Sequence, residues 1–250
     1  MGNRSTARPV IVQKSGRAIP GAWTAKAFIG LTIVCWLQAG MIAYLVITGY
    51  SAFANSDFQI GQRIDALGLD DGFLLKVALV WHWVGGPIGT FLAAAIGTIW
   101  LLLIRRWGWA IYVAACGVGG VVIAEVIKRT VNRPRPNWPG TAVTESGGSF
   151  PSGHSMAGIY VWTVLGIVLI YLLRRPLGTI LGWCLIVFGL LMAPSRLVIG
   201  VHWPSDVIAG WLLALGWVLL VTAVAVVVAA RRSAKTASSP PPESEALAST

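Results

Sequence analysis

Apolar residues run through this chain in long, nearly uncharged stretches, separated by short polar or basic breaks. Residues 27–49 form one such run. Its length suits a helix rising ~1.5 Å per residue across ~30 Å of hydrocarbon. Ala52-Phe53-Ala54 just beyond looks like a cleavage site, but the run is longer than a signal-peptide core, so a retained span is expected. Residues 73–104 are also apolar but too long for one simple span, and Gly85-Gly86-Pro87 interrupts them. They read as an interfacial approach over 73–82, with Trp81-His82-Trp83 in the aromatic belt, and a second span over 83–104 closed by Arg105-Arg106. Further spans are expected over 109–128, 155–173, 178–196 and 201–230, the fourth and sixth ending at Arg174-Arg175-Pro176 and Arg231-Arg232. Two polar segments remain, a loop over 50–72 with Asp57, Asp65, Asp70 and Asp71, and a Pro- and Gly-rich loop from Arg129 to about Ser152. The pattern predicts an all-α protein, a six-span transmembrane helical bundle.

Composition agrees with that pattern. Hydrophobic residues make up 56% of the 250 and charged residues 11%, too few charges to coat a soluble globule of this size. Trp, at 13 residues, and Gly, at 29, fit bilayer interfaces and close helix approach, with Gly117, Gly119 and Gly120 as packing candidates. The net charge of +10 does not indicate nucleic acid, because it lies in clusters beside apolar runs and no groove-reading motif accompanies it. Cys35, Cys116 and Cys184 sit inside apolar runs and read as buried small hydrophobes.

Three parts follow: a disordered basic cytoplasmic tail over 1–22, a six-span domain over 23–232 and a disordered tail over 233–250. Six spans put both tails on one side. Arg105-Arg106, Arg174-Arg175 and Arg231-Arg232-Lys235 share that side with the N-terminal basic residues, so it is expected to be cytoplasmic. The other, outer face carries the polar loops.

Polar residues gathered at the mouths of apolar spans are functional candidates. Lys128-Arg129-Thr130-Val131-Asn132-Arg133-Pro134-Arg135-Pro136 sets fixed cations at a low-dielectric edge, where a planar fork and a point charge suit phosphate. Alone, it also reads as a headgroup-contacting loop. Phe150-Pro151-Ser152-Gly153-His154-Ser155 opens a span, so backbone N–H groups at a helix N-terminus can meet an anion beside a titratable imidazole. A capping Ser with an interfacial His is the bland alternative. Ser195-Arg196-Leu197-Val198-Ile199-Gly200-Val201-His202-Trp203-Pro204-Ser205-Asp206 places His202 and Asp206 one turn apart if the sixth helix starts near His202. A carboxylate on one imidazole nitrogen leaves the other free to attack, although a helix-capping pair would look the same. Glu125 can face Lys128 or Arg129, and His82 reads as an interfacial histidine beside two tryptophans.

Together these segments read K-x6-R-P, P-S-G-H and S-R-x5-H-x3-D, in that order and on one membrane side. The set resembles the type-2 phosphatidic acid phosphatase family, which shares its core with vanadium haloperoxidases. The motifs span 128–206 and the six-span layout extends the likeness to about 27–230. The resemblance implies an active site at the outer membrane face that binds a phosphorylated lipid. Lys128, Arg135 and Arg196 would clamp the phosphate, with Ser152 and the Gly153 N–H completing the cradle. His202 would attack phosphorus to give a phosphohistidine, His154 would protonate the leaving group, and Asp206 would orient His202. No metal and no cofactor are implied. A zinc site on His154, His202 and Asp206 is disfavoured because the three cations would repel the ion.

The expected activity is therefore lipid phosphate or diphosphate hydrolysis at a bacterial plasma membrane. Undecaprenyl-type diphosphate leads, with phosphatidylglycerophosphate and phosphatidic acid as alternatives. A phosphotransferase on the same core and an anion channel or transporter are the competing readings. Polar groups confined to one membrane face disfavour a pore.

Overall fold

A computed structural model describes residues 20–70, 72–139, 141 and 143–237. The helices are α1 (Pro20–Thr48), α2 (Ser51–Asp70), α3 (Gly72–Val84), α4 (Pro87–Leu103) and α5 (Trp107–Val131), then α6 (Gly153–Leu173), α7 (Pro176–Val198) and α8 (Pro204–Ala237). α6 passes through a π-helical stretch at Gly158–Thr163. The described residues contain no strand. Five helices are long and apolar enough to cross a membrane, and α3 with α4 form a pair bent by 54° that gives a sixth span if counted as one.

The described residues therefore carry five spans, or six with the bent pair counted as one, and four parts of the expected layout are corrected. The 50–72 loop is a helix, α2. Its carboxylates Asp57 and Asp65 are buried against the rest of the protein rather than solvated. The 73–82 approach and the second span are the two halves of the bent pair, 13 and 17 residues long. Each is short of the ~20 residues a membrane crossing needs. His202 precedes α8, which starts at Pro204. Residues 20–22 and 233–237, assigned to the tails, are helical, because charge marks where a helix leaves the hydrocarbon and does not stop it. Residues 1–19 and 238–250 lie outside the described residues.

α6 is the centre of the bundle, with 50% of its span buried against 17% for α1 and 22% for α5. Glycine lets it approach α7 backbone to backbone: a Cβ on Gly158 would stand 2.0 Å from the Gly189 carbonyl oxygen. Of the three predicted packing glycines, Gly119 lies against Trp217 and Gly120 against Tyr160, while Gly117 lines an open cavity. Several tryptophans bond between helices instead of marking the interface. Trp36 Nε1 donates to the Leu213 carbonyl at 3.2 Å, Trp81 Nε1 to Phe188 at 2.9 Å and Trp162 Nε1 to Thr90 Oγ1 at 3.2 Å. An indole N–H in an apolar medium needs such an acceptor. Trp83, by contrast, is 75% exposed. Cys35 and Cys116 are buried as expected, but Cys184 faces outward from α7.

The Gly158 contact is with backbone, which no rotamer change can relieve. Gly158→Val should therefore destabilise the bundle by about 1–3 kcal/mol. Thermal unfolding in detergent, followed by tryptophan fluorescence, should show a lower midpoint than the native chain.

Candidate active site

One end of the bundle gathers the polar residues, and each arrives by a local rule. Lys128 sits in the last turn of α5, which Asn132 closes in the left-handed conformation (φ 42°). The chain then turns back, and Ser149 N–H donates to the Arg133 carbonyl at 2.8 Å, folding the loop over the bundle mouth. α7 ends in a Schellman pattern, with Val201 N–H on the Arg196 carbonyl at 3.2 Å and Gly200 N–H on Leu197 at 3.1 Å. Gly200 takes φ +81°, and a Cβ there would stand 2.3 Å from Asp65 Oδ1, so only glycine fits this turn. Two residues later His202 lies over the end of α7.

His202 is 2% exposed. Its Nδ1 faces Asp206 Oδ2 at 3.4 Å and its Nε2 lies 3.2 Å from Arg135 Nη1. A guanidinium only donates, so Nε2 carries the lone pair and Nδ1 carries the proton toward Asp206. Burial pushes the His202 pKa below the usual histidine range. Asp206 acts against that shift, while Arg196 and Arg135 reinforce it. The imidazole is thus oriented by Asp206, with its Nε2 lone pair toward Arg135. The other Asp206 contacts are Trp203 N–H on Oδ2 at 3.0 Å and Arg133 Nη1 on Oδ1 at 2.7 Å.

Glu145 comes between the two arginines of the predicted phosphate clamp. Its Oε2 lies 3.0 Å from Arg135 Nη1, and its Oε1 pairs with Arg196 Nη2. Burial alone would raise its pKa, but the Arg196 and Arg135 guanidinium groups hold it well below the usual carboxylate range. Arg196 has no exposed surface, and its Nε has no hydrogen-bond partner among the described residues. An anionic group gripped by two guanidinium forks marks the place a phosphate would take.

His82 is not an idle interfacial residue. Its Nδ1 accepts from Arg196 Nη1 at 2.6 Å, its carbonyl meets His154 Nε2 at 3.3 Å, and the two imidazoles stack with centroids 5.7 Å apart. The carbonyl acceptor makes His154 Nε2 the protonated nitrogen and leaves Nδ1 with the lone pair. The Gly85-Gly86 break turns α4 away from α3 just past this histidine. Ser152 is fully buried, its Oγ accepting Ser155 N–H at 3.4 Å as the cap of α6, and its own N–H bonds the Asp206 carbonyl at 3.1 Å. Glu125 pairs with Arg129 at 2.6 Å.

A cavity of about 1050 Å³ opens beside these residues. Lys128, Arg135, Glu145, Gly153, His154 and His202 form its polar end. Arg196, Ser152 and Asp206 stand behind this wall and do not line it. The cavity then continues between α4 and α5 along apolar side chains that include Phe91, Ile99, Val118 and Val121. Three of the clustered residues, His82, Glu145 and Arg133, lay outside the predicted set. Glu145 had no periodic or motif signal at all. Arg133 stood in the basic motif, and His82 stood beside a Gly-Gly-Pro break.

The PAP2 superfamily model matches residues 107–229. A decaprenylphosphoryl-5-phosphoribose phosphatase of Mycobacterium tuberculosis is 37% identical over 155 residues, covering 58% of this chain and 75% of that protein. The chain belongs to the PAP2 superfamily. Phosphatidylglycerophosphatase B of Escherichia coli is 31% identical over 224 residues, covering 86% of this chain and 82% of its own. A crystal structure of a transmembrane PAP2-type phosphatidylglycerolphosphate phosphatase from Bacillus subtilis superposes with a TM-score of 0.66. At 24% identity it covers 76% of this chain and 94% of that one, and it shares the PAP2 fold.

Glu145 occupies the seat between Arg135 and Arg196. Glu145→Gln should therefore tighten competitive inhibition by inorganic phosphate several-fold, measured as the inhibition constant at pH 7.

Proposed function

We propose that this integral membrane PAP2 phosphatase hydrolyses the phosphate or diphosphate of a polyprenyl-type lipid through a phosphohistidine on His202. The observation that carries the reading is the cavity, which joins a cationic, histidine-bearing end to an apolar gap between two spans. From Pro87 to Ile99 the α4 wall advances ~18 Å at ~1.5 Å per residue, room for a hydrocarbon chain whose phosphate stays at the mouth.

The phosphate displaces Glu145 and takes Arg135 and Arg196 as its clamp, with Lys128 as a third cation. The Gly153 N–H completes the cradle, and the Ser152 hydroxyl caps the helix behind it. Arg135 gives up His202 Nε2, which attacks phosphorus in line. With the phosphate dianion bound, His154 takes up a proton on Nδ1, and the charged imidazole passes it to the departing lipid oxygen, or to the departing phosphate of a diphosphate. Asp206 holds the Nδ1 proton and offsets the charge that develops on the ring. Water then takes the phosphoryl group from His202, with the now neutral His154 as base. The arginines and lysine supply the electrostatic stabilisation that a metal ion provides elsewhere.

Charge asymmetry supports an outward-facing site. The turns holding Arg105-Arg106 and Arg174-Arg175 lie at the opposite end of the bundle, as does the Arg231-Arg232 end of α8. The positive-inside rule assigns that end to the cytoplasm of a bacterial plasma membrane. The M. tuberculosis relative's name supports a polyprenyl-linked substrate, and the greater coverage by the E. coli relative supports phosphatidylglycerophosphate as the second reading.

A panel of undecaprenyl diphosphate, phosphatidylglycerophosphate and phosphatidic acid, assayed for phosphate release in detergent with EDTA present, tests this. Release should continue in EDTA and be fastest on the polyprenyl lipid. Full loss in EDTA with recovery on zinc would overturn the mechanism. His202→Ala should lower the rate by at least about 10³-fold and His154→Ala by about 10²–10⁴-fold. Because the His202 pKa is lowered, the acidic limb of kcat/KM should lie below the ordinary histidine pKa of about 6.5. Labelled phosphate recovered in a second lipid instead of free phosphate would mark a phosphotransferase.

A further inference from the structure

Asp57, on α2, takes no part in any step of hydrolysis, yet it is 5% exposed and fully engaged. Its Oδ1 accepts Ser205 N–H at 2.9 Å, and its Oδ2 accepts Ser205 Oγ at 2.6 Å and Arg133 Nη2 at 2.7 Å. The other arm of Arg133, Nη1, donates to Asp206 Oδ1 and to Ser205 Oγ, both at 2.7 Å. The Arg133 guanidinium lies 5.1 Å over the Trp203 ring. A continuous buried chain therefore runs from Asp57 through Arg133 and Asp206 to His202. Side-chain exposure along it is 4% for Asp57, 12% for Arg133, 0% for Asp206 and 1% for His202.

We propose that Asp57 is a positioning residue for the nucleophile, acting through Arg133 and Asp206 to keep one net negative charge behind His202. This rests on the phosphohistidine reading. Arg133 alone would neutralise Asp206, leaving nothing to offset the positive charge that the imidazole acquires as it bonds phosphorus. Asp57 restores that charge. The geometry also fixes Asp206 in place, since both of its oxygens are occupied and Arg133 is held from two sides. α2 thereby becomes part of the catalytic apparatus. It also seats on the same turn, with Phe58 6.4 Å from Trp203 and a Cβ on Gly61 3.4 Å from Pro204.

A helix dock would use the same hydrogen bonds, so the test must read charge at His202. The other groups around His202 are Arg135 at 3.2 Å, Arg196, Glu145 and His154, and none is altered by the substitutions below. Asp57→Asn keeps the shape and removes the charge. It should lower kcat about 10–100-fold, the range for outer partners that orient a metal ligand. KM should be nearly unchanged, as for an interaction made only in the transition state. With less negative charge nearby, the neutral imidazole is favoured, so the acidic limb of kcat/KM should move to lower pH. Arg133→Met removes the opposite charge and should move the limb to higher pH. In an Asp206→Asn background, Asp57→Asn should have little further effect.

Overturning results are an unmoved limb in Asp57→Asn, limbs that move in the same direction in both variants, or losses that multiply fully in the double variant. If Asp57→Asn fails to fold, Arg133→Met decides by whether its limb rises. A native protein that releases phosphate from no lipid sinks the phosphohistidine reading and this proposal together. Native activity with unmoved limbs sinks this proposal alone.

Discussion

A guanidinium without exposed surface, at the end of a membrane-spanning helix, has to be matched or it is ruinous to the fold. Arg196 is that group, and much of the site's architecture answers to it. Glu145 reaches it from the long loop and His82 reaches it from α3, so both segments are committed to one position. The Schellman turn after Arg196 then returns the chain and sets His202 above the same group. The second buried arginine, Arg133, imposes a parallel demand that Asp57 and Asp206 meet from different helices. Two desolvated cations therefore specify where α2, α3, the loop and α8 must converge.

Much of this was legible in the chain because hydrocarbon is a simple solvent. Uncharged runs long enough to cross it announced the spans, and breaks such as Gly85-Gly86-Pro87 announced the bend. The motif residues were legible because polar groups at span mouths are rare. What escaped followed no such rule. α2 is a polar helix whose burial depends on partners distant in sequence, so its aspartates looked like loop residues. Glu145 sits in a segment without periodicity, and only Arg135 and Arg196, brought together by the fold, give it meaning. Trp81 was read as an interface marker because its hydrogen-bond acceptor on another helix cannot be seen one residue at a time.

The site joins two kinds of environment, and the chemistry draws on both. The low dielectric around His202 keeps the imidazole neutral and strengthens every charge placed near it. The charges themselves come as compensated sets: Glu145 with Arg135 and Arg196, and Asp57 with Arg133 and Asp206. In the first set Glu145 and Arg135 line the cavity, with Arg196 behind them. The second lies behind His202 and does not line the cavity. The proposed binding and orienting roles therefore fall on different arginines of one cluster.

The apolar part of the cavity has walls that are also outer surface: Phe91 of α4 is 70% exposed and Val118 of α5 is 68% exposed. Such an opening would let a lipid enter sideways from the bilayer without its tail meeting water. The encounter would then be two-dimensional, its rate following the mole fraction of substrate in the bilayer rather than its concentration in bulk volume.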